Sequence, residues 1–181
     1  MKKQELRFTG SGGQGVILGT VIIAEAAYFD GKQAAQSQSY GPEARGGLCK
    51  AECIIDENPI TFTKVGLPSL LLSLTQASFD KYSQSLAEDA IVVVDDQITV
   101  PDGIKKNHKV YSLHILQGAK EVIQNPMAAN IISVGAVNQI VGASSVEALE
   151  EAVLAHIPKG TEELNIKALH YGMDLVVEAD K

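Results

Sequence analysis

The stretch that most narrows what this chain can fold into is Thr9-Gly10-Ser11-Gly12-Gly13-Gln14-Gly15. It puts four glycines between a short apolar entry, residues 6–8, and a long apolar run that begins at Val16. Strand, glycine turn and helix in that order are the opening unit of an α/β fold. Glycines tolerate positive φ and close backbone approach. The free N–H groups and positive dipole end of the helix that follows favour an anion or an electron-rich oxygen.

A second unusual segment, Ser37-Gln38-Ser39-Tyr40-Gly41-Pro42-Glu43-Ala44-Arg45-Gly46-Gly47, follows one helix and a short link. Tyr40-Gly41-Pro42 is ordinary turn chemistry. Glu43 and Arg45 on such glycine-rich backbone are less easily dismissed, because arginine presents a planar fork suited to carboxylate or phosphate. The plain reading is a surface ion pair between them, worth less than about 1 kcal/mol. The expectation is that the two segments lie side by side on one edge of a sheet, held there by the rest of the chain.

The remainder reads as alternating strands and helices. Residues 6–8 are the first strand, and residues 14 or 16 to 29 the first helix, stopped by Asp30-Gly31. Residues 32–36 are a weak second strand. Residues 48–55 alternate, with Cys49, Ala51, Cys53 and Ile55 on one face and Leu48, Lys50, Glu52 and Ile54 on the other. Residues 56–59 are a turn from which 60–63 return as a hairpin, adding antiparallel pairing. Residues 70–74 and 90–95 are continuous apolar runs, as expected of central parallel strands covered on both faces, and residues 110–113 form a further short strand. Helices are expected over 76–86, 115–123, 126–141, from a capping box at Ser144 with Glu147, and from about Thr161. The fold class is α/β: one three-layer α/β/α domain spanning residues 1–181, with a mostly parallel, partly mixed sheet.

Composition sets aside several functions. A formal net charge of -7 with only Arg7 and Arg45 as arginines leaves no basic stripe for nucleic acid. The basic first residues lead into a glycine turn instead of a signal-peptide core, and the run after Val16 is interrupted by Glu25 and shorter than the roughly 20 residues that span a bilayer. No membrane association and a cytoplasmic location are expected. Cys49 and Cys53 are too few for a disulfide framework. On one strand they stand roughly 13 Å apart at ~3.3 Å per residue, and two thiols fall short of an iron–sulfur cluster. His108, His114, His156 and His170 have no zinc-site spacing.

Gly10-x-Gly12-x-x-Gly15 matches the spacing of a dinucleotide fingerprint. That leaves one alternative, a free-standing nucleotide- or flavin-binding protein. Its requirement is an acidic residue ending the second strand, whereas Asp30 sits at the helix end. A third reading is a purely structural assembly subunit.

Residues 8–16 (Phe-Thr-Gly-Ser-Gly-Gly-Gln-Gly-Val), 38–47 and 130–136 (Asn-Ile-Ile-Ser-Val-Gly-Ala) together resemble the gamma subunit of 2-oxoacid:ferredoxin oxidoreductases, the 2-oxoglutarate type most of all, over essentially the whole chain. In that family a 2-oxoacid is oxidatively decarboxylated to an acyl-CoA while ferredoxin is reduced. The resemblance implies a subunit that binds no cofactor alone and is inactive by itself. Thiamine diphosphate and iron–sulfur clusters are then expected in companion alpha, beta and, where present, ferredoxin-like delta subunits, with coenzyme A as co-substrate. It also implies that Ser11, Gly12, Gly13, Gln14, Ser39, Tyr40, Glu43 and Arg45 face ligand or partner, with no catalytic or metal-ligating residue of its own.

Overall fold

A computed structural model describes residues 3–40 and 47–180, Tyr40 by its backbone alone. The strands are β1 (Gln4–Ser11), β2 (Gln33–Tyr40), β3 (Leu48–Asp56), β4 (Leu70–Ser73), β5 (Ile91–Asp95) and β6 (Lys109–Leu113). They form a six-stranded sheet in the order β2-β3-β1-β4-β5-β6. β1, β4, β5 and β6 are parallel to their neighbours in that series, while β3 is antiparallel to both β1 and β2.

The two faces of the sheet carry different layers because side chains alternate along each strand. Leu6, Phe8, Leu70, Leu72 and Val93 point into the larger core, beneath α1 (Val16–Phe29), α4 (Ile115–Glu121), α5 (Ala129–Val141), α6 (Val146–His156) and α7 (Glu162–Ala179). Leu71, Val92 and Val94 point the other way, into a smaller core with Phe79 of α2 (Gln76–Tyr82) and Ile104 beside it from α3 (Asp102–Asn107). With both faces covered, Leu70, Leu71 and Leu72 are all fully buried, which is why β4 has no polar alternation. The three-layer, mostly parallel and partly mixed architecture is the expected one.

Within the larger layer, α5 and α7 meet at their backbones. A Cβ on Gly172 would lie 2.0 Å from the Ile132 carbonyl oxygen, and one on Gly135 equally close to the Leu169 carbonyl oxygen. Only glycine permits this approach, so residues 129–138 of α5 are buried all round. On the opposite sheet face, Arg7 Nε donates to Glu52 Oε1 at 2.7 Å with both side chains nearly buried. Arg7 also reaches the carbonyls of Val65 and Gly66, tying down the crossover from β3 to β4, and that of Ser85 in the connection from α2 to β5.

Several elements differ from the sequence reading. Residues 60–63 form no hairpin; the antiparallel pairing comes from β3, which slots between β1 and β2. The second strand runs on to Tyr40, absorbing Ser37 to Ser39. The face of β3 bearing Glu52 and Ile54 is buried too, because the crossover covers it and Arg7 neutralises Glu52. The α6 cap is Ser145, whose Oγ accepts from the Ala148 N–H, while Ser144 bonds Asn138. The short helix α3 has no buried residue and no apolar period to announce it.

Gly172→Ala should lower unfolding stability by about 3 kcal/mol or more, because a backbone carbonyl must move. Gly103→Ala, in exposed α3 with nothing near the new methyl, should raise it by up to about 1 kcal/mol. Urea midpoints at unchanged slope check both.

Candidate functional site at the carboxyl edge of the sheet

The parallel strands end together at Ser11, Ser73, Asp95 and Leu113. Because β2 and β1 are both antiparallel to β3, β2 also ends at this edge, and β3 begins there beside the glycine loop. The Gly12 N–H donates to the Gly47 carbonyl at 2.9 Å, joining the glycine loop to the start of β3. The expected side-by-side placement therefore holds for the described ends. Glu43 and Arg45, with the rest of 41–46, lie outside the described residues.

The edge also contains the reversal point of the sheet. After β1 the chain rises into α1 on one face, and after the adjacent β4 it enters α2 on the other. Loops that part in this way leave a crevice at the carboxyl ends, the usual ligand position in open α/β sheets.

Inside the glycine loop the Ser11 N–H donates to Gln14 Oε1 at 2.7 Å and the Gln14 N–H donates back to the Ser11 carbonyl at 3.2 Å. This closure fixes a shape that leaves Gly13 at the exposed tip with φ 97°. Gly15 is the N-cap of α1 in the left-handed region, at φ 71°, and supplies no side-chain cap. The first-turn N–H groups of α1 therefore open toward the edge with the positive end of the helix dipole behind them. Ser39 is exposed on β2, opposite Lys50, and Tyr40 stands opposite Cys49. Ser11, Gly12, Gly13 and Gln14 are thus one folded unit, whereas Ser39 and Tyr40 are strand residues two places across the sheet.

Beneath this loop lies a residue whose role the sequence reading left unassigned. Asn130, in the first turn of α5, is 8% exposed, and its amide nitrogen is 2.7 Å from where a Cβ on Gly15 would sit. It also lines a cleft of about 330 Å³ with Leu18, Met127, Ile131, Ile157 and Asn165, between the N-terminal ends of α1, α5 and α7. The signal was one amide in an otherwise apolar run.

Among the described residues the remaining titratable groups do not converge on a reaction centre. His114 bonds Asp96 at 2.7 Å, His170 bonds Glu150 at 2.6 Å and His156 contacts Glu25, each pairing with a carboxylate on another segment. Among the described residues no group of three or more His, Cys, Asp or Glu is placed to hold a metal ion. Cys49 and Cys53 are free and buried on the face under α1. Burial pushes the Cys53 thiol up to about 12, so it stays a thiol and is unreactive at neutral pH. The dinucleotide requirement fails as well: Asp30 accepts from the Ser145 N–H and hydroxyl, and β3 separates β2 from β1. No helix among the described residues is long and apolar enough to cross a membrane.

Residues 5–175 match the family model described as pyruvate ferredoxin/flavodoxin oxidoreductase. The chain belongs to this family. Within the pyruvate ferredoxin/flavodoxin oxidoreductase family it is 40% identical to the 2-oxoglutarate synthase subunit KorC of Methanocaldococcus jannaschii, over 97% of this chain and 95% of that one. It superposes on a keto/oxoacid ferredoxin oxidoreductase gamma subunit from Geobacter sulfurreducens with a TM-score of 0.89, 42% identity and 99% coverage of both chains. It also shares a fold with part of the 2-oxoglutarate:ferredoxin oxidoreductase of Magnetococcus marinus, determined with 2-oxoglutarate, coenzyme A and succinyl-CoA bound. There the TM-score is 0.87 at 19% identity, over 98% of this chain and 32% of that longer one.

The Cys53 thiol makes a pH prediction with a definite sign. The unfolded thiol ionises near its ordinary value of 9.0 and the folded one only near about 12. The burial contribution is therefore complete below 9 and is lost as pH rises across that window, at up to about 1.4 kcal/mol per pH unit. Urea unfolding between pH 8 and 10.5 should show this slope, and Cys53→Ala should reduce it to what Cys49 and Tyr171, also raised by burial, contribute.

Proposed function

We propose that this chain is the gamma subunit of a 2-oxoglutarate:ferredoxin oxidoreductase, cytoplasmic and inactive by itself. The observation that carries the reading is whole-length likeness to 2-oxoglutarate synthase subunits at 40% and 35% identity, above the 30% shared with a pyruvate synthase subunit from Methanocaldococcus jannaschii. The reaction is oxidative decarboxylation: 2-oxoglutarate, coenzyme A and two oxidised ferredoxins give succinyl-CoA, carbon dioxide, two reduced ferredoxins and the proton released from the coenzyme A thiol. Thiamine diphosphate in companion subunits supplies the carbanion chemistry, and iron–sulfur clusters there carry the electrons out. The two buried cysteines of this chain support that division.

The chain's own part is to present the carboxyl edge of one gamma-type domain. Ser11, Gly12, Gly13 and Gln14 form a preshaped loop whose helix N–H groups suit a carboxylate or phosphate oxygen. Ser39, Tyr40, Glu43 and Arg45 extend that surface toward companion alpha, beta and delta subunits, with Arg45 supplying the bidentate cation. A surface held by a closed backbone loop costs little to order on binding, which is what a positioning subunit needs.

Companion subunits purified with and without the chain provide the test. Coenzyme A-dependent reduction of ferredoxin by 2-oxoglutarate is expected only when the chain is present; equal rates without it would overturn the reading. In the full complex, Arg45→Ala should raise KM for coenzyme A or the oxoacid by about tenfold, the value of one charge-assisted hydrogen bond. Unchanged assembly and kinetics would remove Arg45 from the site.

A further inference from the structure

We infer that the outer edge of β2 over residues 33–37, with the flank of α1 beside it, is a homodimer surface. A second copy of this chain pairs its β2 antiparallel to the first, so that the two sheets become one and the two α1 helices meet across the seam. The surface lies at the end of β2 remote from Ser39 and Tyr40, and it does not rest on the gamma-subunit reading.

The helix α1 has more apolar surface than its own fold covers. Glu25 is its one charged residue, and a helix apolar all round is ordinarily buried all round. Gly19, Ile22, Ile23, Ala26 and Ala27 are buried. On the other side Ile17, Val21 and Ala24 are only half-buried and Tyr28 is 68% exposed. These residues follow one another at steps of four, three and four, the interval of a seam between two packed helices. Val21, Ala24 and Tyr28 line an open cleft of about 390 Å³ that they share with Ala34 and Gln36 of β2, so the uncovered stripe borders the sheet edge.

That edge is itself unguarded. β2 ends the sheet on one side and β6 on the other. Exposed edges are ordinarily blunted by charge, proline or short length. β6 follows the rule: it has five residues, and its Lys109 and Tyr111 are tied to Asp180 just after α7. β2 has eight residues, Gln33-Ala34-Ala35-Gln36-Ser37-Gln38-Ser39-Tyr40, with no charge and no proline. An edge of that length and composition accepts another strand.

A second copy fits both features at once. Antiparallel pairing of β2 with its own copy is a two-fold arrangement whose axis stands perpendicular to the sheet. Both α1 helices then lie on the same face, antiparallel, stripe to stripe. Charge agrees with this occupant. A formal net charge of -7 is a general obstacle to self-association, but the three charged residues between Val16 and Tyr40 are already engaged within the chain. Glu25 contacts His156, Asp30 accepts from Ser145, and Lys32 donates to the Ala143 carbonyl.

Sedimentation equilibrium of the full chain from about 1 to 100 μM tests the inference, and the expected result is twice the mass of the chain. Tyr28→Glu, on the exposed stripe, and Gln33→Lys, on the exposed edge, should each raise the dimer dissociation constant about tenfold or more. Val177→Glu, at another exposed apolar residue on α7, should leave it unchanged. Urea midpoints of the same variants separate a lost interface from a lost fold. A chain that stays monomeric throughout, or a dimer indifferent to both Tyr28→Glu and Gln33→Lys, overturns the inference. So does a monomeric chain whose residues 17–28 and 33–37 gain amide protection only in the assembled oxidoreductase, which would give the surface to a companion subunit.

Discussion

The buried pair between Arg7 and Glu52 is the constraint on which the arrangement of this edge depends. It spans β1 and β3 at the register position where the two Cα atoms are partners. A slip of one residue would turn each side chain to the opposite face, stranding one charge among the apolar residues beneath α1. Such pairs add little net stability over apolar packing, but removing one partner costs about 3–5 kcal/mol. The pair acts mainly as a register lock. With β3 locked antiparallel between β1 and β2, its first residue returns to the carboxyl edge and Gly47 meets Gly12.

The second support is the packed pair α5 and α7. Their backbones meet at Gly135 and Gly172, so the start of α5 is held at a fixed distance from the sheet. That distance puts Asn130 under Gly15. The glycine loop is therefore shaped from two sides, by Gln14 folding back on Ser11 and by α5 packing from below. A loop so restrained loses little freedom when it is contacted.

The fold was largely legible because the strongest signals were local. Leu70-Leu71-Leu72 and Val92-Val93-Val94 announced buried parallel strands, and the glycine loop announced the first crossover. What escaped depended on partners distant in sequence. The place of β3 follows from Glu52 meeting Arg7, a contact across 45 residues, and no turn signal near residues 56–59 could show that the return strand was β1. The cap at Ser145 in place of Ser144 was decided by Asp30, 115 residues away, and by Asn138 taking Ser144. Of the site, the loop 11–14 could be read directly, since its glycines have a local purpose. Asn130 could not, because its neighbour Gly15 reaches it only through tertiary packing.

The central claim is that the glycine loop and the described ends of β2 and β3 beside it form one surface used in assembly or ligand capture. Amide hydrogen exchange of the full chain, alone and within the assembled oxidoreductase, measures it most directly. The account predicts strong added protection in residues 10–18 and 38–49 together, with little change in exposed α3 on the smaller layer. Protection gained only on α3 or on the exposed end of α6, with residues 10–18 and 38–49 unchanged, would contradict it.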